Sequence, residues 1–147
     1  MSGQSLPYFI RGKVVKGFGR GSKELGCPTA NFDDEIVNNV SEDLSTGVYY
    51  GFGQVNGGQI HEMVMSVGWN PFYHNSKKSI EVHLLHKFEA DFYGKELRIV
   101  ILGFLRAEKN FVSLDELIKA IEYDIMTAKD ALKKQENAVF KSNPFFS

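Results

Sequence analysis

Three stretches hold residues whose types and spacing could do chemistry. Gly17-Phe18-Gly19-Arg20-Gly21-Ser22-Lys23 is rich in glycine and basic. Glycines let backbone N–H groups approach phosphate oxygens, and Arg20 and Lys23 add positive charge. The spacing is not that of the common NTPase phosphate loop, which needs four residues between its glycines and ends in Lys-Ser or Lys-Thr. On pattern alone this stretch reads as a surface loop, with phosphate binding as the alternative. Pro28-Thr29-Ala30-Asn31-Phe32 offers side-chain oxygens on Thr29 and Asn31. Such oxygens can ligate a hard cation, and Mg²⁺ accepts a few of them together with phosphates and waters. The plain alternative is a proline-initiated turn with local hydrogen bonds. Glu81 is a carboxylate in a strand-like run, where Ile80, Val82 and Leu84 alternate with Glu81, His83 and Leu85. Alternation reads Glu81 as a solvated outer residue. His83 and His86 read as surface or hydrogen-bonded imidazoles, and no ligand spacing suits zinc. Trp69, Phe72 and Tyr73 read as core aromatics, and Asp91 as a turn cap.

The elements that must position these residues follow from periodicity. Tyr8 to Lys16 reads as a strand. Gly17 to about Ser45 reads as one long irregular segment, punctuated by Gly17, Gly19, Gly21, Gly26 and Pro28. A loop of that length inside a compact domain is usually functional. Gly47 to Val55 and Ile60 to Trp69 read as a hairpin around Asn56-Gly57-Gly58, because Asn-Gly tolerates positive φ. Asn70-Pro71 ends the second of these strands. Ser79 to Phe88 and Lys95 to Leu105 read as further strands. The last of them is apolar on both faces, as expected where both sides are covered. Leu114, Leu117, Ile118, Ile121, Ile125, Ala128 and Leu132 then recur at helical spacing. Ser113 and Glu116 form a capping box ahead of them, so a helix is expected from near Leu114 to near Lys134. Strands come first and the long helix last, which argues against a doubly wound α/β fold. An antiparallel barrel with a C-terminal helix packed outside fits best, and a small sandwich is the alternative.

Composition narrows the function. The 147 residues suit one domain, and 43% hydrophobic residues supply a core that needs no disulfides. A formal net charge of −1 points to neither nucleic acid nor a strongly charged partner. Cys27 is the single cysteine, which excludes an internal disulfide framework and permits a reducing compartment. Met1 to Pro7 does not read as a signal peptide, and no apolar run is long enough to span a bilayer. Asn39-Val40-Ser41 matches a glycosylation acceptor, which has no meaning without secretion. The expectation is a soluble, intracellular, single-domain protein: a barrel over about 7–112, a helix over about 113–134 and a tail over 135–147.

Taken in order, the motifs resemble the flavokinase (riboflavin kinase) family. The resemblance is carried by Gly17 to Lys23 and by Gly26-Cys27-Pro28-Thr29-Ala30-Asn31-Phe32. Ser45-Thr46-Gly47-Val48-Tyr49-Tyr50-Gly51 and Gly68-Trp69-Asn70-Pro71 continue it. Ser79-Ile80-Glu81-Val82-His83, Asp91-Phe92-Tyr93-Gly94 and Leu105-Arg106-Ala107-Glu108-Lys109-Asn110-Phe111 complete it. It runs from about Pro7 to the final helix and is nearest to the eukaryotic, monofunctional type, with no room for the adenylyltransferase domain of bacterial relatives. One departure stands in it: Ala107 occupies a place where proline is expected.

The resemblance implies a six-stranded antiparallel, Greek-key β-barrel with the site at its mouth. It implies transfer of the γ-phosphoryl group of ATP to the 5′-hydroxyl of riboflavin, giving FMN and ADP. Thr29 and Asn31 would hold Mg²⁺ (or Zn²⁺ or Mn²⁺ in its stead) and the ATP phosphates. Gly17 and Lys23 would belong to a flap over the nucleotide. Glu81 would be the general base. Leu84, His86 and Tyr93 would line the adenine side, and Arg106, Lys109 and Phe111 would face the flavin. It further implies a cytoplasmic monomer that takes small-molecule substrates and binds neither nucleic acid nor membrane. A flavin-binding barrel without catalysis is the alternative, and a barrel for single-stranded nucleic acid a weaker third.

Overall fold

A computed structural model describes residues 6–15, 29–69, 78–86, 94–107 and 112–146. Its strands are β1 (Tyr8–Val15), β2 (Thr29–Phe32), β3 (Gly47–Val55), β4 (Ile60–Trp69), β5 (Lys78–Leu84) and β6 (Glu96–Arg106). Its helices are α1 (Asp34–Asp43), α2 (Leu114–Leu132) and the short α3 (Gln135–Ala138), followed by two 3₁₀ turns, Val139–Ser142 and Pro144–Phe146.

The strands close into a barrel in the order β1-β2-β5-β4-β3-β6, and every neighbouring pair is antiparallel. This removes the sandwich alternative. Strands β3, β4 and β5 follow one another around the wall, while β2 lies beside β5 and reaches β3 through α1, a Greek-key path. At the β3–β4 hairpin Asn56 has φ +50° and Gly57 φ +76°, the conformation that Asn-Gly favours.

The wall is lined inside by Ile10, Val14, Phe32, Met63, Met65, Val67, Ile80, Val82, Leu84, Leu97, Ile99 and Ile101. These are alternate positions of five of the strands, and Tyr49 of β3 joins them, as a filled small barrel requires. Val37, Val40 and Leu44 join the same cluster, so α1 closes one end. On the outer face, α2 covers β3 and β4 where Ala128 and Ile125 meet Val48 and Val64. The tail covers the outer face of β3 and β6. There Phe140, Phe145 and Phe146 pack with Phe52, Val100 and Leu102. Gln54 Nε2 donates to the Phe146 carbonyl at 3.0 Å and Arg98 Nη1 to the Phe145 carbonyl at 2.9 Å.

Two expectations need correction. The segment from Gly17 to Ser45 is not irregular throughout, because it contains β2 and α1. Thr29 to Phe32 is accordingly strand and not a turn. Asp33 caps α1, its carboxylate accepting from Ile36 N at 3.1 Å. Strand β5 also stops at Leu84 instead of Phe88. Helix α2 starts as expected, with Ser113 Oγ accepting from Glu116 N at 3.2 Å. The return bond of the capping box goes one residue early, from Val112 N to Glu116 Oε2 at 3.3 Å.

Strands β3 and β6 shift register between Tyr50 and Gly51, and a Cβ on Gly51 would run into the Val100 carbonyl. Gly51→Ala is therefore expected to cost about 3 kcal/mol, the upper range for overpacking. Gly57→Ala, at positive φ in open space, is expected to cost about 1 kcal/mol. Urea denaturation of the two variants checks the order, and equal midpoints would refute it.

Candidate active site

The candidate site is built where β2 is inserted between β1 and β5. Thr29 pairs with His83 and Ala30 with Val82. Continuing that register by one residue brings Asn31 alongside Glu81, on the face opposite to Ile80 and Val82. Side chains opposed in this way stand about 5 Å apart at Cβ. The ladder ends there, and the Asn31 side chain takes over: its Nδ2 donates to the Ile80 carbonyl at 2.7 Å. This bond fixes the amide and leaves Oδ1 as its remaining polar atom. Asn31 is 6% exposed, and its Oδ1 is buried with no hydrogen-bond partner among the described residues. An orphaned buried oxygen is costly unless something positive comes to it.

Glu81 is 8% exposed. Alternation placed it on the outer face correctly, but the expected solvation does not hold. The row continues around the barrel. Ser66 pairs with Glu81, Val48 with Ser66, and Val48 with Arg106. A single belt across β2, β5, β4, β3 and β6 thus runs from Asn31 through Glu81 to Arg106. At about 4.8 Å per strand, Arg106 lies roughly 14 Å from Glu81 along the sheet.

The other expected residues divide. Thr29 opens β2 in the same face register as Asn31. The Leu84 side chain is fully buried in the barrel core, so a ligand could meet it only through its backbone. The Leu84 carbonyl already accepts from His86 N at 2.8 Å. His86 is exposed, and its ring stacks on His61 with centroids 4.0 Å apart and planes at 16°. Burial, and next the proximity of His86, holds His61 below the usual histidine pKa. His83 is buried. Gly17, Lys23, Tyr93, Lys109 and Phe111 lie outside the described residues.

Arg106 makes an ion pair that the sequence reading missed. Its Nε lies 3.0 and 3.2 Å from the two Asp124 oxygens and its Nη2 2.8 Å from Oδ2. Asp124 is on α2 and 3% exposed. The signal was a carboxylate within the helix's apolar stripe, four residues before Ala128 and eight before Leu132. No group of three or more His, Cys, Asp or Glu side chains converges among the described residues. None of the described helices is long and apolar enough to cross a membrane.

The Asn31 amide fits a bound Mg²⁺, because its free oxygen is the hard, neutral donor that ion accepts and its nitrogen is already anchored. Comparison with known proteins agrees in kind. The family model described as riboflavin kinase matches residues 4–132. A riboflavin kinase from Homo sapiens is 55% identical over 141 residues, covering 96% of this chain and 91% of that protein. A bifunctional riboflavin kinase/FMN phosphatase from Arabidopsis thaliana is 47% identical over 146 residues, and the match spans 37% of it. The crystal structure of riboflavin kinase from Trypanosoma brucei superposes with a TM-score of 0.75 at 30% identity, covering 98% of this chain and 91% of that one. With the profile match spanning most of its length and relatives this near, the chain belongs to the riboflavin kinase family.

Proposed function

We propose that the protein transfers the γ-phosphoryl group of ATP to the 5′-hydroxyl of riboflavin, with Glu81 as general base. The observation that carries this reading is the buried residue Glu81 at the register position next to Asn31, whose buried Oδ1 has no hydrogen-bond partner among the described residues. Phosphoryl transfer asks for positioning and charge neutralisation more than for covalent work by the protein. Asn31 and Thr29 hold the cation, which we take to be Mg²⁺. When bound, that ion offsets charge developing on the phosphate oxygens. Glu81 accepts a hydrogen bond from the ribityl hydroxyl and takes its proton as the new O–P bond forms. Burial limits access of water, which would otherwise compete for the phosphoryl group. Gly17 and Lys23 serve the phosphates, and His86 and Tyr93 the adenine side, with Leu84 contributing its backbone. Arg106, Lys109 and Phe111 serve the flavin. A flavin carrier has no use for a cation ligand next to a carboxylate, which sets that alternative aside. We place the enzyme in the cytoplasm as a monomer.

The test is incubation with riboflavin, ATP and MgCl₂, followed by chromatography. FMN formation that stops when EDTA replaces the metal supports the proposal. Absence of FMN overturns it.

A further inference from the structure

The stripe of α2 that meets the barrel is apolar at Ile125, Ala128 and Leu132, and Asp124 interrupts it. A carboxylate buried there loses hydration that an apolar side chain would not need. Buried ion pairs replaced by apolar residues often leave stability unchanged or raise it. Docking the helix therefore does not account for the pair, and a local rule broken without gain in stability is what functional positions show.

The geometry supplies another account. Asp124 takes one edge of the guanidinium through both carboxylate oxygens, at 2.8 to 3.2 Å. Arg106 Nη1 donates to the Ala107 carbonyl at 3.3 Å. The guanidinium plane is held from the helix on one side and by the next residue of its own chain on the other. Arg106 nevertheless keeps 25% of its side chain exposed, against 4% for Asp124. The held side chain thus keeps part of its surface exposed, at the last residue of β6.

We infer that Asp124 is a positioning residue for flavin recognition: it holds the Arg106 guanidinium in the orientation that meets riboflavin. This rests on the proposed riboflavin phosphorylation. The carboxylate itself touches no substrate and acts through Arg106.

The experiment compares wild type, Asp124→Asn, Asp124→Glu, Arg106→Met and the Arg106→Met/Asp124→Asn double variant. Riboflavin affinity is read from flavin fluorescence at equilibrium, beside both KM values and Tm. Asp124→Asn is expected to weaken riboflavin binding about 10- to 100-fold, as misplacement of a recognition group does. The KM for ATP should stay within about twofold, since no nucleotide contact changes. Asp124→Glu keeps the charge but lengthens the arm, so it should restore Tm and leave riboflavin binding weakened. It carries the test if Asp124→Asn does not fold. With Met at position 106, Asp124→Asn should cost no further riboflavin affinity, because the two substitutions act on one group. Wild-type riboflavin affinity in the folded Asp124 variants, parallel shifts in both KM values, or additive effects in the double variant would overturn the inference. A wild-type protein that makes no FMN would refute the proposed activity instead.

Discussion

Glu81→Gln lowers the rate of FMN formation about 10²- to 10⁴-fold, the usual contribution of a positioned general base, and leaves riboflavin affinity nearly unchanged. Gln has the shape of Glu and still accepts a hydrogen bond, so the ribityl hydroxyl keeps a partner in the ground state. What it lacks is basicity, which matters only as the proton leaves. An interaction needed only at the transition state lowers kcat and kcat/KM alike and spares binding. Glu81 is on the outer wall and 8% exposed, so Tm is measured beside the kinetics to separate a folding defect from lost basicity. Steady-state kinetics with riboflavin varied, beside equilibrium flavin titration, decide the matter. Turnover near that of wild type would remove Glu81 from the mechanism.

Asn31→Leu separates cation binding from folding in the opposite sense. The substitution deletes an oxygen that is buried without a partner among the described residues, a defect worth about 1–3 kcal/mol. It also deletes the bond from Nδ2 to the Ile80 carbonyl, worth about 1 kcal/mol. The two roughly cancel, so Tm should change little. Magnesium-dependent ADP affinity should fall at least about tenfold, the scale on which losing even a supporting group weakens a metal site. Calorimetry with ADP, with and without Mg²⁺, is the measurement. An unchanged magnesium dependence would make Asn31 a structural residue that links β2 to β5.

Both residues were visible in the sequence as chemical types, but their meeting was not. Asn31 and Glu81 are joined by the insertion of β2 beside β5, a pairing across about half of the barrel's chain length. Strand β2 has four residues, too few for alternation to register, and two of them are polar. Helix α1 escaped for a similar reason. Ile36, Val37, Val40 and Leu44 recur at helical spacing, but over barely three turns, and the glycines upstream dominate the segment. The longer elements were legible because each repeats its period several times. Strand β6 shows its two covered faces in Leu97, Ile99 and Ile101 against the barrel interior and Val100 and Leu102 against the tail. Phe104, expected to be covered as well, is largely exposed beside Tyr49. Alternation assigns a side to Glu81 but says nothing about what lies over that side. Arg106 and Asp124 remained separate in the reading because their contact depends on how α2 lands on the sheet.

Closure of the wall by β1 and β6 also sets an order of events during synthesis. A chain that leaves the ribosome amino end first holds Tyr8 without its partner until Ile101 has been made. Asn31 waits likewise for β5, and Gln54 for Phe146. The β3–β4–β5 meander joins three strands that follow directly in the chain, and β1 pairs with β2 in the same way, so these are the parts able to form early. Until β5 and β6 are made, the outer edge of β2 and the outer edge of β1 lack their partners and are open to wrong ones. Asn31 and Glu81, the proposed cation ligand and the proposed base, come into register through the late, long-range pairing. A nascent fragment that ends before β5 therefore holds Asn31 without Glu81, and the proposed reaction centre is completed only when β5 has been made.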